Sequence, residues 1–140
     1  MKTLTVKTRA RQEVRDVTAE VARAVSESGI EEGLCHLFVP HTTAGVAVNE
    51  NADPDVKRDI LMALDRLAPE GLDWRHAEGN SPAHLKSVLT GSGATLIVSG
   101  GRLELGTWGG IYFCEFDGPR TRRLHLRLQG EDGAGRWRLV

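Results

Sequence analysis

The sequence predicts an α+β fold: a curved, mostly antiparallel or mixed sheet, as a sandwich or half-barrel, with two or three helices in a single domain. Three observations carry this. Strand-like runs open the chain, helical stripes fill its middle and strand-like runs close it, an order without βαβ alternation. Asp53-Pro54 and Ser81-Pro82 both read as helix starts, with a capping side chain followed by a proline tolerated in the first turn. Leu124, Leu126 and Leu128 alternate strictly with Arg123, His125 and Arg127, as in a half-buried antiparallel strand.

The elements follow in order. Leu4 and Val6 alternate with Thr3, Thr5 and Lys7 and predict a first strand. Val14, Val17, Val21 and Val25 recur at helical spacing, which predicts a helix from about Asp16 to Ser28, closed by Gly29. Leu34 to Val39 is a strand ended by Pro40, and Val46 and Val48 mark another. A second helix runs from Asp53 to Pro69, with Val56, Ile60, Ala63, Leu64 and Leu67 as its inward stripe. A shorter third helix runs from Ser81 to Gly91. Thr95 to Val98, Ile111 to Phe116 and the leucine alternation are the closing strands. Residues 1–131 form the domain, and 132–140 read as a tail in which Trp137, Leu139 and Val140 could dock.

Bulk properties narrow the function. The chain has 140 residues and a formal net charge of -1, from 18 basic and 19 acidic side chains, so no global field draws it to nucleic acid. No apolar run is long enough for a membrane span, and the first residues lack the apolar core of a signal peptide. Cys35 and Cys114 lie in strand-like runs, where packing is the expected role. A cytoplasmic protein without nucleic-acid or membrane partners is the expectation.

Chemistry concentrates in three clusters. His41 to Asp53 combines an imidazole, the hydroxyls of Thr42 and Thr43, the amides of Asn49 and Asn51, and the carboxylates of Glu50 and Asp53. The second cluster is His76 to His84, with Glu78 and Asn80, and the third is Gly106-Thr107-Trp108-Gly109-Gly110. So many polar groups need partners if buried, and a small polar ligand would supply them. The expectation is that all three clusters meet in one pocket. Imidazole is the usual acid or base near neutral pH and the commonest metal ligand. His84, at a helix start, is expected to stay neutral. Asp53 reads mainly as a helix cap, whereas Glu50 reads as placed for chemistry. Thr42, Thr43 and Thr107, with Lys86 and Arg102, are candidate phosphate partners. No nucleophile motif is present.

The ordered motifs His41-Thr42-Thr43-Ala44, Asn49 to Pro54, Glu78-Gly79-Asn80 with Ala83 to Lys86, and Gly106-Thr107-Trp108 resemble the YjbQ family, also called the secondary thiamine-phosphate synthase family. The likeness covers about Thr3 to Glu131. It implies a compact α+β homotrimer with a pocket near subunit contacts, built from His41, Thr42, Glu50, His76, Asn80, His84 and Thr107. It also implies a weak joining of a hydroxymethylpyrimidine diphosphate to a thiazole phosphate. One departure is Gly109, where the family usually has Gln.

On these grounds the leading expectation is an enzyme of a small phosphorylated substrate, with His41, Glu50 and His84 catalytic. Thr42, Thr43, Asn49, Asn80, Lys86 and Thr107 would bind substrate, with a divalent metal ion as a possible cofactor. The alternatives are a non-catalytic phosphometabolite-binding protein and a metal-dependent hydrolase using His41, His76 and His84.

Overall fold

The alternation around Leu4 and Val6 forms β1 (Lys2–Lys7) in a computed structural model that describes residues 1–140. β2 (Glu13–Asp16), α1 (Thr18–Ser28), β3 (Ile30–Phe38), β4 (Ala44–Glu50), α2 (Pro54–Leu67) and α3 (Ser81–Thr90) follow. The chain closes with β5 (Gly93–Ser99), β6 (Arg102–Leu103), β7 (Gly109–Glu115), β8 (Thr121–Asp132) and β9 (Trp137–Leu139).

Every strand pairing is antiparallel. One sheet runs β1-β8-β3-β5-β6, with β9 added beside β8, and curls into a half-barrel. The second sheet runs β2-β7-β4. Fold class, single domain and three helices thus match the expectation from sequence.

Two apolar clusters explain the layering. The larger gathers Val21 and Val25 of α1 with Cys35, Leu37, Val46, Phe113, Leu124, Leu126 and Leu128 between the two sheets. Each fully buried leucine there contributes roughly 1.5–3 kcal/mol. The smaller cluster packs Tyr112, Cys114 and Phe116, from the opposite face of β7, under Leu64 of α2 and Ala83 of α3. β7 is therefore covered on both faces, which is why Ile111 to Phe116 reads as a continuous apolar run rather than an alternation.

Three local expectations are corrected. Val14 belongs to β2, not to the first helix, because it pairs with Cys114 of β7. α1 begins at Thr18, where the Asp16 carboxylate accepts from the Thr18 N–H at 2.9 Å. On α2 only Leu64 is buried, with Ile60 and Leu61 partly buried against the same β7 cluster, while Ala63 and Leu67 face outward. Its start is as expected, with Asp53 accepting from the Asp55 N–H. The last residues pair as a hairpin with β8, and Val140 exchanges two backbone hydrogen bonds with Leu128. No helix is long and apolar enough to cross a membrane.

Candidate functional site

The loop between β3 and β4, Val39 to Thr43, is fixed at several points. Its start is held by the Val39 N–H on the Ser92 carbonyl, and its end by the Phe116 N–H on the Thr43 carbonyl. α3 closes over the adjoining strand at Gly45, where a Cβ would lie 2.3 Å from the Thr90 hydroxyl, so this approach requires glycine. Ser87 of α3 donates to the Ala44 carbonyl at 2.6 Å. The result places His84, in the first turn of α3, across from His41.

Beneath the loop lies a buried charged network. Following the β8 alternation back from Leu124 puts Arg122 on the inner face, where it is 4% exposed. Its guanidinium donates to both oxygens of Glu115, which is fully buried, and to the Thr43 hydroxyl at 2.8 Å. Thr8 donates to Glu115 at 2.7 Å. Burial alone would raise the Glu115 carboxyl, but the hydrogen bonds from Arg122 and Thr8 outweigh it and hold it below its ordinary value. Neither Glu115 nor Arg122 was among the residues singled out from sequence. The signal was available: a lone carboxylate in an apolar run, and an arginine in register with three inward leucines.

Two adjoining cavities open above this network. One, of about 320 Å³, has no hydrophobic wall and includes Glu78, Asn80, Asp117, Arg120 and Arg122. The other, of about 660 Å³, adds Phe38, Val88 and Ser92. Pro40, His41, Thr42 and His84 line both. The cavities are thus two lobes of one cleft, with the two imidazoles at the junction.

The two imidazoles have different partners. His41 Nε2 accepts from the Arg123 backbone N–H at 2.9 Å, so its proton resides on Nδ1. Burial lowers the His41 pKa, and the Arg122 and Arg123 guanidinium groups lower it further. The His84 ring meets His76 edge-on, centroids 5.3 Å apart, and has no hydrogen-bond donor on either nitrogen. His76 Nε2 in turn lies 3.9 Å from Glu78.

The two cations that line the cleft are paired. Arg122 serves Glu115, and Arg120 pairs with Asp117 at 3.1 Å. Lys86 lies on the other side of α3, 4% exposed, where it binds Asp65 and donates to Gln12 at 2.7 Å. Arg102 lines a separate cavity beside α1. The two arginines that line the cleft are thus paired with carboxylates, whereas the Arg123 guanidinium near His41 has no ion pair.

The expectation of one pocket from three clusters is therefore corrected. His41, Thr42 and Thr43 meet Glu78, Asn80 and His84. Asn49, Glu50 and Thr107 do not join them, because β4 is seven residues long and carries them to its far end, about 20 Å away. There Asn49 accepts from the Glu50 N–H, Glu50 accepts from the Asp53 N–H at 3.3 Å, and the Tyr112 hydroxyl donates to the Glu50 carbonyl. Gly109, in place of the usual Gln, has no room for a side chain: a Cβ would lie 1.9 Å from the Leu105 carbonyl oxygen. Nor does a three-histidine metal set form. No three His, Cys, Asp or Glu side chains converge, and the His41 Nε2 lone pair is already taken.

Residues 2–131 match the family described as "UPF0047 protein YjbQ-like". The chain is 52% identical over 132 residues to the UPF0047 protein YugU of Bacillus subtilis, covering 93% of this chain and 99% of that one. A UPF0047 protein of Methanocaldococcus jannaschii is 48% identical over 126 residues, covering 90% and 91%. Among solved structures, a protein of the same family from Clostridium acetobutylicum superposes with a TM-score of 0.89 at 49% identity, covering 91% of this chain and 99% of that one. A YbjQ-like protein from Sulfolobus solfataricus, described as of unknown function, reaches 0.89 at 33% identity, covering 93% and 96%.

These relatives correct the functional expectation. They carry family designations without an activity, so thiamine-phosphate synthesis does not follow from membership, and neither do phosphometabolite binding or metal-dependent hydrolysis. The paired arginines and the distant Lys86 give the physical side of the same correction.

Proposed function

The chain belongs to the YjbQ-like UPF0047 family, and on that premise we propose that its cleft is a small-molecule site where two imidazoles divide proton donation and acceptance. His41 is the donor and His84 the acceptor. One observation carries the reading: the Arg123 N–H occupies the His41 acceptor nitrogen, so a neutral His41 offers only its Nδ1–H. A depressed pKa keeps that ring neutral near physiological pH. His84, with no donor on its ring, has a lone pair for a substrate proton. A bound molecule lying between the rings would be polarised by one and deprotonated by the other. Glu115 and Arg122 touch no ligand in this scheme; they are positioning residues that hold the His41 loop through Thr43.

A surrogate substrate tests this. p-Nitrophenyl acetate hydrolysis in the presence of EDTA reports an imidazole working without a metal. His84→Ala is expected to lower the protein-dependent rate by roughly tenfold or more. Equal rates for the variant and the wild type would remove His84 as the acceptor.

The homotrimer and the cytoplasmic location belong to the same proposal. Ile97 stands outward on the large sheet, 59% exposed, which supports association through that face. Ile97→Lys should reduce a particle of three chain masses to one in light scattering. Cys35 and Cys114 are free and buried, which agrees with a reducing compartment.

A further inference from the structure

Asn80 departs from a local rule. It occupies the N-cap of α3, where an asparagine oxygen ordinarily accepts from an N–H of the first turn. Here the side chain makes no cap. Its Nδ2 donates instead to Asp117 at 3.0 Å, which fixes the amide orientation and leaves Oδ1 buried with no donor. An orphaned acceptor in the wall of a cavity marks where a donor is missing. The surrounding charges agree. Arg120 and Arg122 are neutralised by Asp117 and Glu115, while the Glu78 carboxylate lies at the rim, 74% exposed. The polar lobe therefore holds unspent acceptors and no unspent cation. The second lobe differs: Phe38 and Val88 give it an apolar wall, with Val88 77% exposed. His41 and His84 belong to both walls, so one molecule filling both lobes must pass between the imidazoles.

Resting on the proposed two-imidazole site, we infer that the cleft takes an amphiphile: an uncharged or cationic head rich in N–H or O–H donors beside Asn80 and Glu78, joined to an apolar body along Phe38 and Val88. The head satisfies Asn80 Oδ1 and lies beside Glu78 and Asp117, with Arg120 and Arg122 already paired to carboxylates. The body removes Phe38 and Val88 from water, which also explains why neither is covered by the chain itself. An anionic head such as a phosphate ester would meet Glu78 and Asp117 and would have to draw Arg120 or Arg122 from its carboxylate partner, so it should bind more weakly. A second copy of the chain is the rival occupant of the apolar lobe.

Four probes on the full-length protein separate these outcomes: benzylamine, benzyl alcohol, benzyl phosphate and methylamine. Binding is read by calorimetry and by the side-chain NMR signals of His41 and His84. Benzylamine or benzyl alcohol should bind and move both imidazole signals. Benzyl phosphate and methylamine should bind at least roughly tenfold more weakly. Val88→Asp, at an exposed position, keeps the fold and should weaken benzylamine by roughly tenfold. Asn80→Leu should weaken benzyl alcohol while its circular dichroism matches wild type. Benzyl phosphate binding as tightly as benzylamine overturns the inference while leaving the two-imidazole site intact. So does benzylamine binding that Val88→Asp leaves unchanged, or Val88→Asp dispersing an oligomer without touching affinity. Benzylamine binding without movement of either imidazole signal removes the two-imidazole reading itself, and failure of all four probes to bind overturns both.

Discussion

β4 and β7 form one antiparallel pair with two unlike ends. At the Ala44–Glu115 end the polar groups are buried and closed on one another: of Glu115, Arg122, Thr43 and Thr8 none is more than 7% exposed. At the Glu50–Gly109 end they stand open, with Thr107 and Trp108 in a solvent-exposed turn and Asn51 bridging Asp16 and Lys57. Both ends carry amides, carboxylates and hydroxyls. What separates them is the cost of disturbing each. A buried ion pair must keep both members, whereas exposed polar groups exchange partners with water.

The largest expected effect is at the closed end. Arg122→Ala leaves the Glu115 carboxylate buried and unpaired, so unfolding free energy should fall by about 3–5 kcal/mol in urea titration. Glu50→Ala at the open end should cost less than about 1 kcal/mol in the same assay. Equal losses would erase the distinction between the two ends. Gly109→Gln sharpens it from the other side. Backbone rather than side-chain partners makes the open end intolerant there, because the new Cβ must displace the Leu105 carbonyl. The expected loss is about 1–3 kcal/mol.

Acid dependence gives a third, smaller effect. Glu115 titrates below its ordinary value of 4.5 in the folded chain, so its ionised form stabilises the fold at neutral pH. That contribution is complete above 4.5 and is lost as pH falls through the depressed folded value. Replacing the pair together, Glu115→Leu with Arg122→Met, should restore most of the stability lost by Arg122→Ala. It should also flatten the urea midpoint against pH below 4.5. A double variant as acid-sensitive as wild type would assign the dependence to Asp16, Asp65 and Asp117, whose carboxyls are likewise held low. The smallest stability change belongs to His84→Ala, within about 0.5 kcal/mol in thermal melting, although it is expected to carry the largest loss of surrogate turnover.

The same contrast shows how much the sequence could tell. Period-two alternation and capping prolines located most elements, since these signals are local. The Asp53 cap and the Gly29 terminus of α1, at φ 73°, follow from short-range chemistry alone. The spacing of Val14 to Val17 and Val21 fits a helix equally well, and only pairing with β7 places it in a strand. In the site, His41 and His84 were legible as imidazoles in polar clusters. Polarity could not say which clusters converge, because that depends on the length of β4 and on which side of α3 Lys86 emerges. Glu115 and Arg122 were passed over because each sits beside apolar neighbours, where a charge reads as a strand's solvated face until a partner from another strand is found.

The two-imidazole reading rests on His41 being a neutral Nδ1–H donor, its tautomer fixed by the Arg123 backbone N–H rather than by a ligand. Long-range proton–nitrogen NMR of the histidine side chains, followed from pH 5 to 8, reads this directly. His41 should carry its proton on Nδ1, show an unprotonated Nε2 and titrate below 6.5. A His41 signal with the proton on Nε2, or one titrating at or above 6.5, would contradict the two-imidazole reading.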